Sequence, residues 1–379
     1  MKLGIVRLYT GESGKIGYYN LQEVGLAKEL VKNIDMEVLI FILRKKDKYP
    51  QKEVIQVEEN IKIVYLPVRS IVNHGLLNPK ELEKFKLDLI QLNADNQIGC
   101  YKVMKWALKN DIPIYNYIGT IDSDSSNRLK RAVSRIIVKR NYKIMKVVMN
   151  VTKTPEVFNK LKELGISNLE IIPVGLDIEN FQNISSYSSE ILKDKYKLPK
   201  YKNILVFVGR LEEYKKPFII LELLEYIKNI EDKYHLLVVG DGSLKNQFLE
   251  FIDKNNLIDN VTYIEQIEHK YMAEIYSVAD IFINTNDKEI YGMSILEALF
   301  CGCPVLAKEA PGPTFIIDNG KTGYVIKNYD KHIWYEKINY IISNRDQFSN
   351  NSKARIENDF LWSEISIKYK KLFNKIGVE

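Results

Sequence analysis

The chain has 379 residues and a mass of 44.2 kDa, a length that suits two domains and excludes a peptide hormone, a lone small binding module or a fibre. Hydrophobic residues make up 46% and charged residues 27%, enough apolar side chain to fill ordinary cores, which argues against global disorder. The net charge of +6 favours an anionic partner: a phosphate-bearing ligand, an acidic membrane face or nucleic acid.

No stretch approaches the roughly 18 to 20 consecutive apolar residues of a membrane span, and Met1 to Arg7 is too short and too soon charged for a secretory signal, so a cytoplasmic protein is expected. Cys100, Cys301 and Cys303 cannot form a disulfide framework. Cys301 and Cys303 have no neighbouring His or Cys to complete a zinc site, so all three are expected to be structural thiols.

The first half alternates short apolar runs with amphipathic stretches. Leu3 to Leu8 reads as a buried strand, and a helical pattern follows from Tyr19 to Lys32. Further strands are expected at Glu37 to Ile42, Ile61 to Tyr65, Asp88 to Leu92, Ile112 to Ile118 and Lys146 to Met149. This is the rhythm of a parallel sheet covered by helices on both faces. Between Asp177 and Lys202 the pattern gives way to the polar run Asn183 to Ser189, the best domain boundary. A second set of strands follows at Asn203 to Val208, His235 to Val239, Val261 to Ile264, Asp280 to Asn284 and Pro304 to Ala307, and the tail from Trp362 to Lys375 is an amphipathic helix. Two doubly wound α/β domains are expected, with the ligand outside the carboxyl ends of their strands and thus in an interdomain cleft.

Several segments carry candidate chemistry. Gly11-Glu12-Ser13-Gly14-Lys15-Ile16-Gly17, between the first strand and the first helix, lets backbone amides approach an anion, although a tight turn explains it equally. Its spacing fits neither the phosphate-loop nor the dinucleotide pattern, which weakens an ATPase or NAD-enzyme reading. Val208-Gly209-Arg210-Leu211-Glu212-Glu213-Tyr214-Lys215-Lys216 places a guanidinium and two ammonium groups at a strand's carboxyl end, where they could clamp a diphosphate. Glu289 and Glu297 flank the start of a helix whose faces leave no solvent side. Glu297 is therefore expected to be buried and to need partners such as a pair of sugar hydroxyls, or a lysine, while Gly292, Met293 and Ser294 offer amides to an anion. Asp122-Ser123-Asp124 has the spelling of a metal-binding Asp-x-Asp but lies in a polar loop, and reads as loop or acceptor contact. His74 could face an acceptor, whereas His235, His269 and His332 read as structural or exposed. From Arg128 to Lys146 there are basic residues and no acid, with Leu129, Val133, Ile136 and Ile137 at helical spacing. This suits a membrane surface or a solvated face over a core stripe; nucleic acid is disfavoured because no aromatic platform is interleaved.

Together these features resemble glycosyltransferase family 4, retaining nucleotide-sugar enzymes of the GT-B fold. The matching segments run from Gly209-Arg210-Leu211 and Lys215 through Val239 to Gly242, Ala279 to Phe282, Glu289 to Glu297 and Gly302 to Val305, to Asp318 to Gly323. The first half matches only through Gly14 to Gly17 and Ile172 to Asp177. The resemblance implies an acceptor-binding domain over 1–178, onto which the helix of 362–379 packs back, and a donor-binding domain over 179–361. It implies that Arg210 and Lys215, with Lys216 as a spare, contact the donor diphosphate, that Glu289 holds sugar hydroxyls, and that Glu297 binds the ribose diol. Gly14, Gly17, Gly292, Met293 and Ser294 would complete the donor site, with His74 and Asp122 as acceptor contacts. Transfer of a hexose or N-acetylhexosamine, from UDP rather than GDP, to a glycan or lipid-linked acceptor in surface polysaccharide or glycolipid biosynthesis would follow, with no metal or further cofactor. Membrane contact would run through Arg128 to Lys146, on the inner face of the cell membrane. Two alternatives stay open: a same-fold enzyme with a soluble acceptor or an epimerase, and a non-catalytic nucleotide or membrane binding protein. Where many family members carry a His, this chain has Ile118, and Glu265 and Gln266 stand where a Gly is frequent.

Overall fold

The architecture is that of a computed structural model, which describes residues 1–10, 22–93, 97–121, 136, 139–181 and 188–378. These fall into two compact units, one holding the described residues up to 175 together with those from 362 onward, the other those of 176–361.

The first unit contains β1 (Lys2–Arg7), β2 (Glu37–Lys45), β3 (Glu53–Glu58), β4 (Ile61–Val68), the small hairpin β5 (Ser70–Ile71) and β6 (His74–Gly75), β7 (Leu89–Asn93), β8 (Ile114–Ile118), β9 (Met149–Thr152) and β10 (Leu169–Ile171). Its main sheet has the order β10-β9-β8-β7-β1-β2-β4-β3, parallel except for the edge strand β3. A central parallel strand is covered on both faces, so it reads as an unbroken apolar run rather than an alternation. Leu3, Ile5 and Val6 of β1 accordingly lie fully buried between β2 and β7. The strand expected at Lys146 to Met149 begins only at Met149, because Lys146 and Val147 lie exposed in the turn before it. β3 escaped the sequence reading because its residues are nearly all exposed and give no buried face to detect. The C-terminal helix Trp362–Lys375 packs on the helix Gln22–Asn33, and Trp362 lies buried beside Gly25 and Gly175.

The second unit contains β11 (Asn203–Val208), β12 (Tyr234–Val239), β13 (Val261–Ile264), β14 (Ile281–Asn284), β15 (Val305–Lys308) and β16 (Gly323–Ile326), all parallel in the order β13-β12-β11-β14-β15-β16. The first strand stands inside the sheet, and the chain builds outward on one side of it before crossing to the other. That is the doubly wound order, and its switch point lies between β11 and β14, where ligands of such sheets bind beyond the carboxyl ends. Leu205, Phe207, Leu236, Val238, Ile281 and Ile283 form the core with the helices Pro217–Lys228 and Lys331–Ser343. β16 was not foreseen from the sequence, where its Gly323 counted only as the end of the matching segment Asp318 to Gly323. The segment expected as a linker carries order of its own: a 3-10 turn at Glu179–Phe181 and the helix Ser189–Lys195, capped by the Ser188 hydroxyl. Among the described residues no helix is long and apolar enough to cross a membrane.

Candidate active site

The two segments that leave β11 and β14 meet at the switch point. After β11 the chain does not enter the next helix directly. It passes Gly209, Arg210 and Leu211, makes one 3-10 turn at Glu213–Lys215, reverses at Lys216 in a left-handed conformation (φ 51°), and enters the helix at Pro217. Proline suits the first helical position because its fixed φ is already helical and its missing N–H is not needed there. The turn is braced from β12: the Gly209 amide donates to the Val239 carbonyl (3.0 Å) and the Leu211 amide to the Asp241 carbonyl (2.9 Å). Gly240 fits here for two reasons, a φ of 148° and a backbone approach so close that a Cβ would stand 1.9 Å from the Gly209 oxygen. Glu212 accepts from the Ser243 hydroxyl at 2.7 Å and from the Ser243 amide at 3.1 Å. These bonds, with the Arg210 charge adding, hold its carboxyl below the ordinary range. Arg210 is exposed, its guanidinium 5.3 Å from the centre of the Tyr214 ring.

After β14 come Thr285, Asn286 and Asp287, then Glu289. The Lys215 ammonium lies 2.6 Å from Glu289 Oε2, two groups 74 residues apart in sequence, and Asn286 Nδ2 donates to the same oxygen at 3.0 Å. Both side chains are largely screened, at 21% and 15% exposure. Lys216 pairs with Asp287, and its ammonium also lies 4.9 Å from the centre of the Tyr329 ring. The Thr285 hydroxyl donates to the Lys215 and Lys216 carbonyls, at 2.8 and 3.1 Å, which ties the two loops together through backbone as well as charge.

Gly292, in a left-handed conformation (φ 99°), opens the helix Met293–Phe300, and no side chain among the described residues caps that end. The first intrahelical bond to Gly292 comes from the Ile295 amide, so the Met293 and Ser294 amides stand ahead of the ladder. Ile295 to Leu299 are all buried, as the lack of a polar face required. Glu297, 5% exposed, places Oε1 3.0 Å from His269 Nε2 and accepts from the Tyr276 hydroxyl on Oε2 at 3.0 Å. Neither partner was singled out in the sequence as belonging to the site; His269, read there as structural or exposed, is half-buried against Phe181. Burial and the Glu297 charge push the Tyr276 hydroxyl well above its ordinary value, so it is a permanent donor.

The structure thus brings Arg210, Lys215, Lys216, Glu289, Gly292, Met293, Ser294 and Glu297 onto the loops and helix end around one switch point. His74 lies in the first unit, on the β5–β6 hairpin, with Nδ1 3.0 Å from Gln97 Oε1. Gly14, Gly17 and Asp122 lie outside the described residues. Of the basic stretch, Ile136 is exposed, and Lys139, Arg140, Lys143 and Lys146 are exposed around a chain that is helical over 139–145, with Ile144 and Met145 buried beneath. The three cysteines are buried. Among the described residues no group of three or more His, Cys, Asp or Glu side chains is arranged to hold a metal ion.

Residues 188–358, which hold this whole site, match the model of the glycosyl transferases group 1 family. The match covers most of the second unit and makes that part of the chain similar to the glycosyl transferases of group 1. The D-inositol 3-phosphate glycosyltransferase of Corynebacterium diphtheriae is 19% identical over 98% of this chain and 94% of its own length. The sucrose-phosphate synthase of Thermosynechococcus elongatus has a similar structure, with a TM-score of 0.77 at 20% identity, covering 99% of this chain and 98% of that one. HepE of Anabaena, solved in complex with UDP, aligns at a TM-score of 0.75 and 17% identity over 99% of this chain and all of that one. The likeness to these solved structures shows the GT-B fold of the chain.

Proposed function

We propose that this protein is a glycosyltransferase that moves a hexose or N-acetylhexosamine, with retention at the anomeric carbon, from a nucleoside diphosphate sugar bound by the second unit to a glycan or lipid-linked acceptor bound by the first. The observation that carries this reading is the pairing of Lys215 with Glu289 at the β11–β14 switch point, beside Arg210 and the uncapped helix end. A diphosphate entering there meets Arg210 and Lys215 by charge-assisted hydrogen bonds and the amides of Gly292 to Ser294 at the helix start. Glu289, adjacent to the same ammonium, takes sugar hydroxyls, and Glu297 takes the ribose diol. The charge developing on the departing nucleoside diphosphate is met by these fixed groups as the acceptor hydroxyl attacks from the same face, which is electrostatic stabilisation of a leaving group. UDP is the favoured nucleotide, in keeping with the UDP held by HepE. We assign the transfer to Arg210, Lys215 and Glu289 with no divalent metal, so excess EDTA should leave turnover unchanged.

An acceptor on a growing surface glycan or glycolipid fits the basic, partly apolar surface around 139–146, which would place the enzyme on the cytoplasmic face of the cell membrane. The test is donor consumption with UDP-glucose, UDP-N-acetylglucosamine and GDP-mannose, each with lipid extract or with soluble sugar phosphates, and NMR of the product. An α-linked product from an α-linked donor, formed only with the lipid fraction, supports the proposal. Transfer to a soluble acceptor overturns the acceptor assignment, an inverted product overturns retention, and nucleotide affinity with no turnover on any acceptor supports a binding protein instead.

A further inference from the structure

A carboxylate buried as deeply as that of Glu297 is costly to hold unless it is paired. Its two oxygens are engaged from two other elements, the Tyr276 hydroxyl from the helix Met272–Val278 and His269 from the 3-10 turn His269–Tyr271 that precedes it. An ionised carboxylate offers about four lone-pair sites, so these two bonds, one on each oxygen, leave room for a ligand diol. The imidazole is fixed in turn: Phe181 meets it edge-on at 5.6 Å between ring centres, and Phe181 leans on Phe300 of the Glu297 helix at 6.2 Å. The titratable groups acting on His269 are Glu297 from the helix Met293–Phe300 and Asp177 from the segment before the Glu179–Phe181 turn, and Tyr276 from the following helix shares the Glu297 carboxylate. On its own turn Lys270 pairs with Glu268 at the surface, and Glu274 on the following helix is held by Lys195 and Tyr196.

We propose that His269 is a positioning residue of the nucleotide site, whose proton offsets the charge of Glu297 and thereby strengthens binding of the anionic nucleoside diphosphate. The inference rests on the reading that Glu297 receives the ribose. Its physical basis is that a neutral imidazole with its proton on Nε2 keeps the hydrogen bond but gives up the positive charge. Orientation of Glu297 therefore survives loss of the His269 charge, whereas the electrostatic help to a diphosphate does not. The hydrogen bond to Glu297 raises the His269 proton affinity above that of an ordinary histidine, and Asp177 adds to it, so the protonated form extends toward neutral pH. Added anion favours the protonated form further. Affinity is then greatest below this raised value and is lost as the pH climbs through it.

The test is calorimetric affinity for UDP-glucose and GDP-mannose between pH 5.5 and 9, in the unmodified enzyme and in His269→Gln, Glu297→Gln and Tyr276→Phe. The diphosphate of a nucleotide sugar does not itself titrate in this range. The unmodified enzyme should bind about threefold to tenfold more weakly at the alkaline end, the scale of one partly screened charge. His269→Gln, which can still donate but not titrate, should show a flat profile near the alkaline value, whereas Tyr276→Phe should keep the slope. A His269→Gln profile parallel to that of the unmodified enzyme overturns the proposal. Should that variant not fold, the ring resonances of His269 in the unmodified protein decide: by linkage its midpoint should rise by about half to one pH unit on adding the nucleotide sugar. An unmoved midpoint refutes the coupling. Failure of the underlying reading looks different, since Glu297→Gln would then leave affinity unchanged, or neither nucleotide sugar would bind at any pH.

Discussion

Replacing Lys215 by Met keeps the length of the side chain and removes its charge. In the structure the ammonium sits 2.6 Å from Glu289 Oε2 with both side chains about four-fifths screened, and Asn286 remains on the same oxygen at 3.0 Å. The pair is neither a surface pair, worth about 0–1 kcal/mol, nor a fully buried one, whose breakage costs about 3–5 kcal/mol. A stability loss of about 1–2 kcal/mol is expected, which at roughly 2–4 °C per kcal/mol lowers the melting temperature by about 2–8 °C. Turnover should fall much further, by about 10²–10³, because a preorganised donor to developing charge is lost. The double variant Lys215→Met/Glu289→Gln separates the two effects. It removes both charges, so most of the stability should return while turnover stays low. Melting curves and single-turnover kinetics on the same samples make the comparison. A Lys215→Met enzyme within threefold of normal turnover, or a double variant that regains activity with stability, would refute a role in catalysis and leave the pair as scaffold.

Three further outcomes follow from the packing and charge. Gly240→Ala should cost at least about 2 kcal/mol and lower nucleotide affinity, since the new Cβ meets the Gly209 carbonyl oxygen at 1.9 Å and only backbone movement next to Arg210 relieves it; urea unfolding and calorimetry check both, and a neutral effect would contradict the geometry. Trp362→Ala removes an indole 4% exposed and seated between Gly25 and Gly175, and should destabilise by about 3–5 kcal/mol in chemical denaturation; a loss under 1 kcal/mol would mean the C-terminal helix is not docked as described. Burial, reinforced by Lys202, lowers the His235 imidazole to about 4 from an ordinary 6.5. The unfolded chain therefore takes up that proton first, so stability is full above pH 6.5 and declines toward pH 4, by about 3 kcal/mol from this group. Urea titrations of His235→Gln should lack that part of the acid decline; curves parallel to those of the unmodified protein would contradict the assignment.

The inner strands of the second unit were legible because they are buried on both faces and read as apolar runs: Asn203 to Val208 begins and ends where the sequence placed it, as does the half-buried edge strand Val261 to Ile264. β3 and β10 were not, being a solvent-facing edge strand and a three-residue one that carry little apolar signal. Residue type and the helix start made Glu289, Glu297 and the Gly209 to Lys216 segment visible as candidates. Their mutual geometry was not visible, since the contact between Lys215 and Glu289 spans 74 positions and exists only because β11 and β14 are neighbours in the sheet. His269 and Tyr276 stayed hidden for a related reason: a histidine in a turn and a tyrosine on an apolar helix face look like ordinary packing until the fold lays both against Glu297.

We propose that the second unit holds a nucleoside diphosphate sugar through Arg210, Lys215 and Glu297. Thermal unfolding with UDP, GDP, ADP and their sugars, on the unmodified enzyme and on Arg210→Ala and Glu297→Ala, tests it most directly. A ligand at a hundred times its dissociation constant adds about 2.7 kcal/mol, or a rise of roughly 5–11 °C for a unit of this size. One nucleotide family should produce that rise in the unmodified enzyme, and each variant should abolish it at the same ligand concentration. A rise that survives both substitutions, or no rise with any nucleotide, would contradict the account.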